Sequence, residues 1–137
     1  MNRRDLQILS KHRFQEAKLL LDAAHFSGCY YLAGYSIECA IKACIAKATQ
    51  RFDFPDKQRA TDSYTHDFSK LLRVAGLEKS LRDSRVQDPQ LESNWIVVDA
   101  WSESSRYELR AEADARVIMQ AVSQPRHGVL PWLMRRW

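Results

Sequence analysis

The stretch "YYLAGYSIECAIKACIAK", residues 30–47, determines the fold class of this 137-residue chain. It has no proline and is apolar on most faces, so it predicts a helix that is buried on several sides at the centre of the protein. Its middle carries two charged residues, Glu38 and Lys42, four positions apart with the glutamate first, the order that favours an intrahelical ion pair. Tyr31 and Tyr35 extend the same polar face. A carboxylate and an ammonium thus lie within an apolar helix, and a buried pair of this kind needs further partners.

The composition supports an all-helical protein with one core. The chain is 45% hydrophobic, and it has only four glycines and four prolines, too few for a fold rich in turns. We expect a single domain over residues 1–137, built as an up-and-down bundle of four to five helices. The formal charge of +4, from 21 Lys and Arg against 17 acids, is a mild indication of phosphate-bearing partners.

Periodic apolar residues and capping signals place the individual helices. The predicted helices cover residues 3–25, 29–49, 66–75, 89–101, 109–122 and 131–137, with a further turn of helix at 77–82. Ser27, Thr65 and Asp88 are the predicted N-caps of the second, third and fourth helices, and Gly76 is the predicted end of the third. Residues 50–65 are predicted to form an irregular loop, and loops of this length are often mobile or functional.

The cysteines and the absence of a long apolar run indicate the compartment. Cys29, Cys39 and Cys44 are odd in number and share one helical stretch, which fits reduced thiols. Cys39 and Cys44 are five residues apart, about 140° around a helix, so they are not expected to share a metal. No run approaches the ~20 apolar residues of a membrane span, and the N-terminal residues lack the apolar centre of a signal peptide. We therefore expect a cytoplasmic protein with no metal, no cofactor and no membrane association.

Three residues elsewhere in the chain are candidate partners for the Glu38–Lys42 pair. His66 lies at a predicted helix start, and Arg106 and Tyr107 lie in a break between two helices, where scaffolds often present functional groups. Arginine, lysine and tyrosine close together suit a phosphate group. The predicted nucleotide- or phosphate-binding residues are Glu38, Lys42, Arg106, Tyr107 and Tyr35. Arg106 and His66 are the candidate catalytic residues, with His66 as a general acid or base if it faces the same cavity.

The order of these motifs resembles the HEPN domain, a small helical bundle of prokaryotic proteins encoded beside minimal nucleotidyltransferases. The resemblance covers roughly residues 10–110, and it depends on the E-x-x-x-K step at Glu38 and Lys42, on His66 after a threonine, and on the R-Y pair at Arg106. It implies a homodimer that works with a nucleotidyltransferase partner, as in toxin–antitoxin pairs, and that binds a nucleotide or RNA.

The chain departs from the ribonuclease branch of this family. Those enzymes use an arginine followed by a histidine after four to six residues, and no histidine follows Arg106 at that spacing. Arg59 and His66 meet the spacing formally, but Arg59 lies in the predicted loop. In the branch with R-Y a proline often follows, whereas this chain has Glu108. We therefore expect little or no ribonuclease activity.

Three interpretations remain open from the sequence. The polar residues bind a nucleotide or RNA, they form a metal-independent ribonuclease site, or they form a structural cluster in a non-catalytic assembly module. The C-terminal segment "GVLPWLMRRW", residues 128–137, combines apolar and arginine residues as interface centres do, so we expect it to contribute to a dimer contact; the alternative is that it closes the core of its own bundle.

Overall fold

A computed structural model describes residues 1–49, 54 and 56–137. Within these residues the protein is all-helical, as predicted, and contains no strand. The helices are α1 (Arg3–Asp22), α2 (Phe26–Ala48), α3 (Lys57–Asp62), α4 (Phe68–Val74), α5 (Glu78–Gln87), α6 (Pro89–Asp99), a 3₁₀ helix (Glu103–Tyr107), α7 (Glu112–Ser123) and α8 (Val129–Met134). Five of them have ten or more residues and form the bundle.

An antiparallel pair, α1 and α2, forms the framework of the bundle. The Asn2 side chain and Asp5 form a capping box at the start of α1. Three residues, with Ala24 at a positive φ of 62°, reverse the chain into α2. Midway along the pair, the Ser10 hydroxyl donates to the Ser36 carbonyl at 2.7 Å, so a buried polar group has its partner.

The predicted cap of α2 is wrong. The helix begins at Phe26 rather than at residue 29, so Ser27 lies inside its first turn. Its hydroxyl instead accepts a hydrogen bond from the Arg110 backbone N–H at 2.9 Å. Ser27 thus makes a tertiary contact instead of a cap. The contact joins the segment before α7 to the start of α2, so α7 runs in the same direction as α2.

As predicted, α2 is the central helix. It packs against α1, α4, α7, α8 and the 3₁₀ helix, which explains why it is apolar on most faces. Its fully buried apolar residues are Cys29, Ala33, Ile37, Ala40, Ile41 and Ala43.

The segment between α2 and α4 contains more structure than predicted. Residues 50–53 and 55 of the predicted loop lie outside the described residues, but α3 occupies part of the remainder. The helix predicted to start at His66 begins at Phe68, and its N-cap is Asp67, whose carboxylate accepts from the Lys70 N–H at 3.1 Å. Thr65 accepts from the Asp67 N–H, so it makes a turn before the helix rather than its cap. Gly76, at φ 71°, follows the end of this helix as predicted.

The second half of the chain largely follows its local signals. Asp88 caps α6, with Pro89 in the first turn. The predicted apolar stripe of α6 is buried: Leu91, Trp95, Val98 and Trp101. The next helix starts at Glu112 and not at Leu109, which is 97% exposed.

The C-terminal segment packs on its own core. Helix α8 begins at Val129, two residues before the predicted start, and its residues Val129, Leu130, Trp132 and Leu133 are buried within one chain. The Cys44 thiol faces the Leu133 carbonyl at 3.9 Å, which holds α8 against the last turns of α2. The burial of these four residues agrees with the alternative account, in which the segment closes the core of its own bundle, and a dimer contact through the remaining residues of the segment stays a prediction. None of the helices described is long and apolar enough to span a bilayer.

Candidate functional site

The centre of the candidate site is Glu38, on the middle of α2. Only 3% of its side chain is exposed, so it needs partners to compensate for the loss of water. Lys42, one turn further along α2, donates from Nζ to Glu38 Oε1 at 2.9 Å. The predicted pair is therefore present, and its carboxylate is buried.

His66 is the second partner of Glu38. Its Nδ1 lies 2.9 Å from both Glu38 oxygens, and its Nε2 lies 3.0 Å from Glu103 Oε2 on the 3₁₀ helix. Because an ionised carboxylate only accepts hydrogen bonds, both ring nitrogens are satisfied when both carry a proton. The imidazole thus links the central helix to the 3₁₀ helix.

The four side chains differ in exposure in a way that matters for binding. The Lys42 and His66 side chains are 23% and 42% exposed, and that of Glu103 is 46% exposed, against 3% for Glu38. The buried carboxylate therefore positions two donors that reach the surface. Lys42 uses one of its three N–H groups on Glu38.

An open cleft of about 380 Å³ lies beside His66. Its lining residues are Thr65, His66, Asp67, Phe68, Ser69, Asp99, Trp101, Ser102 and Glu103. Burial raises the pKa of Asp99, and the neighbouring Asp67 carboxylate raises it further, while Arg85 lowers it. The cleft wall is thus rich in carboxylates, which suit hydroxyl and amino donors.

A second cleft adjoins the first one at Thr65. It has a volume of about 350 Å³, and Lys70 and Arg73 line it together with Asp62. The two clefts share Thr65 and differ in charge: three carboxylates line the first, and Lys70 and Arg73 line the second.

Aromatic packing fixes the 3₁₀ helix next to His66. The Trp101 ring stacks on Phe68, with centroids 5.2 Å apart and planes at 6°, and on Tyr31 at 6.0 Å. The indole also lies directly over Gly34 of α2, where an added Cβ would approach its Nε1 to 2.2 Å. The absence of a side chain at Gly34 is what allows Trp101 to reach the central helix.

The predicted contact of the pair with Arg106 or Tyr107 is wrong. Arg106 is exposed and lies over the Tyr107 ring at 5.0 Å, and the Tyr107 residue is itself 82% exposed. Neither residue is bonded to Glu38 or Lys42, whose polar partners come from their own pair and from His66. The 3₁₀ helix does contribute to the cluster, but through Glu103, because a histidine donor requires an acceptor and not a second cation.

Tyr35 lies on the same face of α2 as the cluster, partly buried. Its ring is 6.0 Å from that of Tyr31. Burial raises the pKa of its hydroxyl, and the nearby Cys39 and Glu38 raise it further, while Arg13 lowers it. Tyr35 is thus a neutral neighbour of the cluster.

The formal arginine–histidine match does not form a common site. Arg59 lines a different cleft, of about 530 Å³, beside Ile45 and Thr49 at the end of α2. His66 faces the cleft described above, whose lining residues include no arginine. The two residues that meet the ribonuclease spacing therefore line separate surfaces.

The cysteines are buried thiols. All three are unpaired, and burial raises the pKa of each to about 11. Across residues 1–49, 54 and 56–137, no three His, Cys, Asp or Glu side chains are grouped as metal ligands would be.

Two residues of this site had no clear signal in the sequence, Glu103 and Gly34. Glu103 is one of several polar residues in "SESSRYE", and nothing local distinguishes it from its neighbours. Gly34 is a glycine inside a helix, which does indicate a close packing contact, but its partner is 67 positions away.

Comparisons with known proteins add no identification. No family model matches the chain, and neither a curated protein nor a solved structure is significantly similar to it.

Proposed function

We propose that this chain is a HEPN-like cytoplasmic protein that binds a nucleotide or RNA and acts with a nucleotidyltransferase partner in a toxin–antitoxin-like pair. The order of the Glu38, Lys42, His66 and Arg106 motifs is the basis for the family. The three buried, unpaired cysteines fit a reducing compartment.

One observation carries the binding proposal: a buried carboxylate holds two hydrogen-bonding side chains, Lys42 and His66, that reach the surface. Glu38 fixes Lys42 and His66 at 2.9 Å each, so a phosphate would meet donors that are already oriented. Glu103 occupies the outer nitrogen of His66 and would be displaced by the phosphate. Because half of the Glu103 side chain is in water, its release costs little.

The two clefts that share Thr65 suit the remainder of a nucleotide. The carboxylates of Asp67 and Asp99 can accept hydrogen bonds from ribose hydroxyl or base amino groups, and Lys70 and Arg73 can contact further phosphates. In this arrangement the candidate residues Arg106 and Tyr107 take no part, and Tyr35 only supports the face of α2.

Calorimetric titration with ATP tests this proposal. We expect ATP to bind the wild-type protein, Lys42→Met to weaken binding at least tenfold, and Glu103→Gln to strengthen it about three- to fivefold, the equivalent of a surface pair of roughly 0.7–1 kcal/mol. Arg106→Ala is the matched control, since it also removes one cation near the site, and it should change the affinity less than twofold.

The Glu103→Gln result separates binding from a purely structural cluster. Loss of the surface carboxylate disturbs no buried group, so this variant should melt within about 2 °C of wild type. If wild type and Glu103→Gln both fail to bind ATP at millimolar concentration, the cluster is structural and the assembly-module interpretation replaces the proposal.

A metal-independent ribonuclease is the alternative function, and the Glu38–His66 pair is the observation that favours it. A carboxylate that orients a histidine is a common acid–base arrangement, but no arginine lines the same cleft to steady a phosphate. We expect no cleavage of tRNA or mRNA in a buffer with EDTA. Cleavage that disappears in His66→Ala, persists in Arg106→Ala and is absent from a mock preparation would establish a nuclease with a different arginine.

The homodimer and the nucleotidyltransferase partner depend on the resemblance alone. Light scattering should give about twice the 15.9 kDa chain mass. Co-expression with the product of a neighbouring nucleotidyltransferase gene should give one complex on size exclusion. A monomer that elutes apart from that product would contradict both.

A further inference from the structure

We infer that one end of the bundle, whose cations line no part of the His66 cleft, is a binding surface for a single-stranded nucleic-acid backbone. We call it the basic end. It consists of Arg3, Arg4, Lys11, Lys47, Arg135 and Arg136. This inference goes beyond the proposed function because it assigns a separate surface with its own ligand contacts.

Three chain segments meet at the basic end. Arg3 Nη2, at the start of α1, donates to the Trp137 carbonyl at 2.6 Å, and Lys11 Nζ lies 5.8 Å from the Trp137 ring centre. The end of α2 joins them through the contact of the Cys44 thiol with the segment of α8. The first turns of α1, the last turn of α2 and the C-terminal residues are therefore neighbours in space.

The positive charges at this end lie close to one another. Burial raises the pKa of Cys44 to about 11, but the charges of Lys47, Arg136 and Arg3 act in the opposite direction on the same thiol. Burial lowers the pKa of Arg136, and the charge of Arg135 lowers it further because two neighbouring cations repel. Three segments that are distant in sequence thus concentrate positive charge on one surface.

The basic end accounts for the excess positive charge of the chain. Residues 1–12, 43–49 and 129–137 contain six of the 21 Lys and Arg but only one of the 17 acids, Asp5, a net charge of +5. The other residues contain 15 Lys and Arg and 16 Asp and Glu, a net charge of −1. The acid, Asp5, is engaged with the Asn2 backbone N–H in the capping box. The mild basic character of the sequence is therefore a local feature of the fold.

These cations also lack Asp and Glu partners among the residues that the structure describes. In the described part of the chain, none of the six forms an ion pair with an Asp or Glu side chain, whereas seven Lys and Arg elsewhere do. Arg3 and Arg136 are bonded to backbone oxygens and keep further N–H groups. Unpaired cations on one surface leave a polyanion as the natural partner.

An aromatic side chain favours a nucleic acid over an acidic protein. Trp137 is half-buried next to Arg3 and Lys11, whereas Trp95, Trp101 and Trp132 are buried. A partly exposed indole among cations provides a surface on which a base can stack while arginines contact the flanking phosphates. Arginine also dominates the basic end, and its fork suits phosphate oxygens.

Fluorescence anisotropy with a labelled twelve-nucleotide uridine oligomer tests the inference. Four to six phosphate contacts predict that affinity falls about 50- to 300-fold between 50 and 200 mM KCl, from a slope of about −0.7 per contact. The variant Arg4→Glu/Lys47→Glu/Arg135→Glu should lose at least tenfold in affinity at 50 mM KCl and reduce the slope by about 2. Intrinsic fluorescence should be quenched by the oligomer in wild type and not in Trp137→Phe.

A charge-matched variant is the control. Lys18→Glu/Lys57→Glu/Arg82→Glu changes the net charge by the same amount at exposed positions outside the basic end, and it should keep the affinity within about threefold. Equal weakening in both variants, or equal affinity for polyglutamate of the same charge, would overturn the inference. The variant Arg4→Glu/Lys47→Glu/Arg135→Glu should bind ATP within about threefold of wild type, because none of its three positions lines the clefts beside His66. Failure of ATP binding at the His66 site and failure of oligomer binding at the basic end are therefore distinguishable.

Discussion

Replacement of Gly34 by alanine should destabilise the protein through one contact. The new Cβ would lie 2.2–2.3 Å from three atoms of the Trp101 indole, more than 1 Å closer than the roughly 3.5 Å of a normal carbon contact. Because α2 is buried on its other sides, the helix cannot retreat and the indole must move.

The magnitude follows from what Trp101 contributes. Loss of a buried tryptophan costs about 3–5 kcal/mol, and alanine in a helix interior recovers about 1 kcal/mol relative to glycine. We expect Gly34→Ala to lower the free energy of unfolding by about 2–4 kcal/mol, measured by urea denaturation with circular dichroism. Gly28→Ala is the control in the same helix, since its Cβ would meet only the tip of the Leu20 side chain at 3.1 Å. Its free energy of unfolding should lie within about 1 kcal/mol of the wild-type value.

A double-mutant cycle makes this reasoning refutable. In a Trp101→Ala background the obstacle is gone, so Gly34→Ala should become neutral or stabilise by up to about 1 kcal/mol. An unchanged cost in that background would show that Trp101 is not the cause, and the account of how the 3₁₀ helix is held beside His66 would be wrong.

Three further predictions concern the cluster, the C-terminus and pH. Glu38→Ala should cost about 3 kcal/mol in urea denaturation, because Lys42 and a histidine lose a buried acceptor, whereas Glu103→Ala should cost less than about 1 kcal/mol; equal costs would contradict the buried role of Glu38. Deletion of residues 129–137 should lower the melting temperature sharply, since four core side chains are lost, and a deletion variant that melts like wild type would contradict their burial. A hydrogen bond from His127 lowers the pKa of Asp88, so its contribution is present above the unfolded value of about 3.9 and is lost as the pH falls through the lower folded value; the stability difference between wild type and Asp88→Asn should shrink across that window, and a constant difference would contradict the pair.

The helices were predictable because their signals are local. Asp88 followed by Pro89 marks the start of α6, and Gly76 marks the end of α4, through contacts within a few residues. The start of α4 was misplaced because Thr65 and Asp67 are both good caps and the backbone selects one of them. Such competition between neighbouring residues is not resolved by propensity.

The candidate site was predicted only in part, for a nonlocal reason. Glu38 and Lys42 are one turn apart, so their pairing follows from helix geometry. The sequence does not show whether Glu103 or Arg106 of the 3₁₀ helix joins the cluster around Glu38. The orientation of that helix depends on where Trp101 packs, and no local pattern indicates that contact.

The central claim is that His66, held by the buried Glu38, presents its outer nitrogen to a phosphate. Long-range ¹H–¹⁵N spectra of the histidine rings during an ATP titration test it most directly, with His66→Gln to assign the signal. The account predicts that the Nε2 resonance of His66 shifts as ATP displaces Glu103, while the Nδ1 resonance is unchanged because Nδ1 stays bonded to Glu38. It also predicts that Lys42→Met weakens the Nε2 shift. Unchanged His66 resonances at saturating ATP would contradict the claim.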